Sequence, residues 1–171
     1  KKLMTLKKPK EVPKIPKARE KNIDKLKKAT PAKKKSEIEF KCKIYFHRDS
    51  DKAAQKYRFE IETTKMFSFL NYKLTAQARK TKKTIDISLL GLTAMNDYLA
   101  KVQPAAAKLD FEDLFGEYTI NILKQDGSIN SALVNFNVFK KEIELVSEFL
   151  PEKKNNSKFC TFKIDKDSFT Y

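Results

Sequence analysis

Gly116-Glu-Tyr-Thr-Ile-Asn-Ile-Leu-Lys-Gln-Asp-Gly-Ser-Ile-Asn-Ser-Ala-Leu-Val-Asn-Phe-Asn-Val138 decides the fold class. Tyr118, Ile120 and Ile122 alternate with polar residues. Asp126 and Gly127 supply turn chemistry, and Ala132, Val134, Phe136 and Val138 alternate back. A period of two places the apolar set on one face of an extended chain, whereas a helix needs spacings of three and four. Two such runs joined by Asp-Gly predict a β-hairpin.

The same period recurs on both sides of this segment. Over residues 37–47 one face carries Ile38, Phe40, Cys42, Ile44 and Phe46, and the other Glu37, Glu39, Lys41, Lys43, Tyr45 and His47. That predicts a half-buried strand with one wet face. Tyr57, Phe59, Ile61 and Thr63 predict a second strand, and Ile85, Ile87 and Leu89 another. Between them the alternation slips from Phe67 and Phe69 to Tyr72 and Leu74, which predicts a bulge or a break. Residues 142–149 and 158–165 add two further strands. Met95, Leu99 and Val102 instead have helical spacing, and Asp110 is a candidate N-cap, so one or two short helices are expected at about 94–115. The expected fold is mainly β: an antiparallel β-sandwich of seven to nine strands over residues 37–171, preceded by a basic extended arm.

The opening of the 116–138 hairpin resembles the last hairpin of immunoglobulin-like and fibronectin-III-like sandwiches, in which a Gly-x-Tyr-x-apolar pattern starts the penultimate strand. Gly116, Tyr118 and Ile120 carry the resemblance. Ile120 stands where antibody-type domains place their second cysteine, and the chain has no Trp, so the resemblance is to disulfide-free sandwiches.

Charge divides the chain. Residues 1–36 hold 15 Lys and Arg against Glu11, Glu20 and Asp24, a net of +12; the total is +15, leaving +3 for residues 37–171. All 13 Phe and all 6 Tyr fall after residue 36. The arm carries Pro9, Pro13, Pro16 and Pro31, which favour extended backbone. Low hydropathy and high charge cannot offset the entropy of ordering, so the arm is expected to be disordered, or ordered only on a partner. Ala18 to Ala29 is the exception. It lacks Pro and Gly, is rich in helix formers, and places Ile23 and Leu26 three apart as a thin apolar stripe.

The candidate anion-binding residues are Lys7, Lys8, Lys10, Lys25, Lys27, Lys28, Lys33, Lys34 and Lys35. Lysines along a chain neutralise phosphates and release counterions without reading sequence. Base recognition would call for Arg forks, amides or aromatic platforms, and the arm offers only Arg19 and Asn22. Residues 27–35 resemble the Lys/Ala/Pro tails of linker histones and of basic ribosomal-protein extensions, and a bipartite nuclear-import signal. Three partners follow as expectations: an acidic protein or ribonucleoprotein assembly, RNA or DNA backbone, and an anionic membrane surface. The membrane ranks last because the arm has no Trp or Phe to insert at an interface.

The sequence supplies no catalytic, cofactor or metal motif. Three glycines cannot build a phosphate cradle. His47 is the sole histidine, and Cys42 and Cys160 are far apart, expected as free buried thiols. Asp49 and Asp51 read as a turn rather than a calcium loop, and the Asp110, Glu112 and Asp113 carboxylates as capping and solvation. Two isolated cysteines and no apolar signal core favour an intracellular compartment, cytoplasmic, organellar or nuclear. The sequence thus points to a non-enzymatic docking or scaffold module with a Lys-rich tether, or alternatively to a nucleic-acid backbone binder.

Overall fold

The structure is a computed structural model that describes residues 18–48, 55–96, 99 and 101–170, with the side chains of 18–21 left out. Lys7, Lys8, Lys10 and the Asp49–Asp51 turn lie outside the described residues. The described residues form one α-helix, α1 (Ala18–Lys28), and nine strands. The strands are β1 (Phe40–Arg48), β2 (Gln55–Phe67), β3 (Tyr72–Lys80), β4 (Thr84–Ala94), β5 (Gln103–Phe111), β6 (Gly116–Leu123), β7 (Ile129–Asn137), β8 (Glu142–Phe149) and β9 (Cys160–Ile164). A short 3-10 turn, Lys166–Ser168, follows.

All nine strands belong to one sheet of order β8-β7-β6-β4-β3-β5-β2-β1-β9. The hairpin predicted at 116–138 is present, with Tyr118 opposite Val134 and Ile120 opposite Ala132. Inward residues of every strand form one core, centred on Phe46, Phe59, Ile87, Ile120 and Phe136. Aromatic edges pack it: the Tyr57 and Phe136 rings stand 4.9 Å apart at 79°. The alternation of β2 buries Tyr57, Phe59, Ile61 and Thr63 as predicted. The parity slip at 69–72 is a break between β2 and β3.

Two expectations are corrected. The sheet is mixed, not purely antiparallel: β1 runs parallel to β9, β4 to β6, and β3 to β5. Side-chain alternation is the same in parallel and antiparallel ladders, so orientation leaves no mark on the pattern. None of the described residues of 94–115 is helical either. β5 occupies 103–111, with Ala105 and Ala107 buried and its backbone paired along β2. Pairing on both sides overrides the helix preference of three consecutive alanines. Pro104, which has no N–H to donate, lies at the register shift between Glu62 and Met66. The helically spaced Met95, Leu99 and Val102 are exposed rather than packed.

β4 shows why the helix matters. Its inner Ile85, Ile87 and Leu89 are buried, but so are the outward Asp86 and Ser88. Leu123 of β6 and Ile129 and Ser131 of β7 are buried on that same outer side. The cover is α1, whose Ile23 packs with Leu123, Ile129 and Leu26 in a second small apolar cluster.

Candidate functional site

The arm's helix docks on the body, and one carboxylate organises the contact. Asp86 is 1% exposed, and its Oδ1 accepts from Lys27 Nζ at 2.8 Å and from Asn121 Nδ2 at 2.8 Å. Its Oδ2 accepts from Arg79 Nη2 at 3.0 Å. The same Arg79 nitrogen donates to Asp24 on α1 at 2.9 Å. Ser131 donates to Asn121 Oδ1 at 2.6 Å, fixing the amide that faces Asp86. Burial alone pushes the Asp86 carboxyl up, but the bonds from Asn121, Lys27 and Arg79 outweigh it and hold the group below its ordinary value. The hydrogen bond to Asp24, then that to Asp86, keeps the Arg79 guanidinium charged.

The end of α1 is held as firmly. Lys153 Nζ donates to Leu26 O at 3.1 Å and also to Gly127 O. Leu26 O is one of the last-turn carbonyls that a helix leaves without an internal partner. Beyond the helix, Asn155 Nδ2 donates to Pro31 O at 3.0 Å, and Lys34 pairs with Asp126 at 3.3 Å. Gly127 makes the passage possible. Its φ is +88°, and a Cβ there would stand 2.8 Å from both Ala29 Cβ and Ala29 O.

The predicted lysines therefore separate. Lys27 is absorbed by a buried carboxylate and Lys34 by a half-buried one. Lys25, Lys28, Lys33 and Lys35 are exposed and form no ion pair or hydrogen bond among the described residues. Lys25 and Lys28 lie on the helix, and Lys33 and Lys35 on the strap, whose backbone is anchored. Lys82, in the β3–β4 turn beside Arg79, is likewise exposed.

The remaining candidates acquire structural roles. Asp110 holds Arg58 through two bonds of 2.7 Å. The Arg58 hydrogen bond depresses its carboxyl, the opposite of what a general acid requires. His47 sits one residue before the end of β1, opposite Lys56. Cys42 and Cys160 are free, buried neighbours across the β1–β9 ladder. Burial pushes the Cys160 thiol up to about 12 and Cys42 higher than ordinary as well. Among the described residues no group of three or more His, Cys, Asp or Glu could hold a metal ion.

The sequence does not single out Asp86, Arg79, Asn121, Gly127 or Lys153 as parts of this site. Asp86 falls on the polar side of an ordinary alternating strand, and the docked helix adds Lys27 to the partners that Asn121 and Arg79 supply from the sheet. No protein-family model matches this chain, and no curated protein or solved structure matches it either.

Proposed function

We propose that this chain is a non-catalytic accessory or scaffold module, which its Lys-rich arm tethers to an anionic surface of a larger assembly. The observation that carries the proposal is the division of labour among the lysines. Lys27 is used to seat α1 on Asp86, while Lys25, Lys28, Lys33 and Lys35 point outward from the anchored segment. The anchored backbone presents these lysines together, so a polyanion can meet several of them at once.

The test replaces only the outward lysines. A Lys25→Gln, Lys28→Gln, Lys33→Gln, Lys35→Gln variant keeps Ile23 and Lys27, and so keeps the docked helix. On immobilised heparin, a polyanion without sequence, the variant should elute at lower salt than the parent. Equal elution would remove these lysines from the site.

A second reading, nucleic-acid backbone binding, draws on the arm's lack of any aromatic residue. Such an arm neutralises phosphates without stacking on bases. Anisotropy of labelled RNA and duplex DNA at two salt concentrations separates the readings. Tight, steeply salt-dependent binding of nucleic acid alone favours the second.

A further inference from the structure

The end of the molecule that carries the strap also carries a second unusual feature. β4 pairs with β6 only as far as Ser88 opposite Leu123, yet it continues to Ala94. Those six residues extend the β3–β4 ladder by roughly 20 Å at strand rise. Along Leu90–Ala94 both faces are exposed. The loops at this end hold Phe69 at 91% exposure, Leu99 at 75% and Val102 at 68%, with Met66, Leu70 and Met95 also exposed.

One buried side chain links the described residues of these loops. Asn71 is 4% exposed; its Nδ2 donates to Leu99 O at 2.9 Å and its Oδ1 accepts from Lys101 N at 3.2 Å. Met95 N donates to Asn71 O at 2.8 Å. The β2–β3 and β4–β5 loops are thus tied into one apolar tip. Exposed lysines stand around it: Lys65, Lys73 and Lys101.

The tip and the arm share this end. Gln125, in the turn that the strap crosses, donates to Leu90 O. An apolar groove of about 530 Å³ lies between Glu37 and Glu39 of the strap, Lys124 and Gln125 of the turn, and Gly91 and Leu92 of β4. Of the acids nearby, Glu39 pairs with Lys124 and Asp126 with Lys34 and Lys124, while Glu37 is exposed. Asp97 belongs to the β4–β5 loop but lies outside the described residues.

We infer that this end binds an anionic lipid bilayer, with Phe69, Leu99 and Val102 entering the interface while Lys65, Lys73, Lys101, Lys33 and Lys35 meet the headgroups. The inference rests on the proposed anionic-surface reading and names the surface. The arm alone lacks an aromatic to insert, and the body provides one in Phe69. Reversible membrane attachment needs two weak signals together, an apolar insertion and a basic patch, and this end supplies both. An apolar tip on emergent strands, ringed by lysines with apolar stems, matches the depth profile of an interface.

The chain has no Trp, so a single introduced Trp reports its own surroundings. Phe69→Trp and Phe139→Trp place one at each end of the molecule, both at exposed sites that need no repacking. With vesicles of phosphatidylcholine and phosphatidylserine, the Phe69→Trp emission should shift to the blue and the Phe139→Trp emission should not. Vesicles of phosphatidylcholine alone should give a much smaller shift. Adding Lys33→Gln and Lys35→Gln should lower partitioning more than about tenfold. An unshifted Phe69→Trp emission on vesicles that still capture the chain through its lysines overturns insertion but leaves the anionic-surface reading standing. A concentration-dependent blue shift without lipid assigns the tip to self-association and overturns the inference. Failure to bind both vesicles and heparin overturns both readings.

Discussion

Ile23→Ala tests whether the arm is seated on the body. Ile23 is 1% exposed and packs with Leu26, Leu123 and Ile129. The substitution removes three buried carbons, about 2.4 kcal/mol at ~0.8 kcal/mol each, and a residual cavity adds to this. The structure offers a way to limit the cost, because α1 can detach while the sheet stays folded. If docking is worth less than that sum, the helix leaves and the global unfolding midpoint moves little. Trypsin distinguishes the cases, since its sites Lys25 and Lys28 lie on α1. When opening is fast, cleavage follows the population of the open form, so 2.4 kcal/mol corresponds to roughly 50-fold faster cutting there. Cutting at Lys25 and Lys28 that changes less than about threefold, with an unchanged urea midpoint, would refute the assignment of Ile23 as the anchor.

Three other outcomes follow from the same contacts. Asp86 is held below its ordinary value of 3.8, so its contribution is present at neutral pH and is lost as pH falls below that value; amide exchange across α1 should accelerate there. Gly127→Ala demands a positive φ of an L-residue and drives a Cβ into Ala29; it should cost about 1 kcal/mol or more in urea unfolding and expose the strap, whereas Gly91→Ala, with open space around it, should leave the strap in place. Cys42 and Cys160 should resist a thiol reagent in the native protein and react on unfolding, because burial disfavours both thiolates.

The residues that wrote the strands into the sequence are those with a single wet face. Tyr57 to Thr63 alternate because water lies on one side and the core on the other. Where both faces are covered, the pattern carries a different message. Asp86 and Ser88 look solvent-facing until α1 lies over them, and no local rule pairs residue 86 with residue 27. The helix itself was partly legible: Ala18 to Ala29 has the right composition, and Ile23 and Leu26 form its stripe. What the stripe would dock on was not, because that surface is assembled from β4, β6 and β7. Met95, Leu99 and Val102 misled for the opposite reason. Their spacing resembles a buried helix face, yet all three are exposed, and Asn71 bonds to the Leu99 carbonyl. The lysines were legible as a basic arm from charge alone. Their division into anchoring Lys27 and outward Lys25, Lys28, Lys33 and Lys35 required the geometry.

It follows that removing residues 1–36 as a block is not a neutral truncation, although charge segregation suggests one. The cut would uncover Leu123 and Ile129 and deprive Asp86 of Lys27. Substituting the outward lysines separates binding from folding.

Amide hydrogen exchange across residues 18–36 of the full chain tests the central claim most directly. A docked helix predicts protected amides through its last turn and at Ala29, whose N–H bonds to Lys25 O. Exchange as fast as in a free peptide of the same sequence would mean that the arm is not seated, and the defined lysine row would go with it.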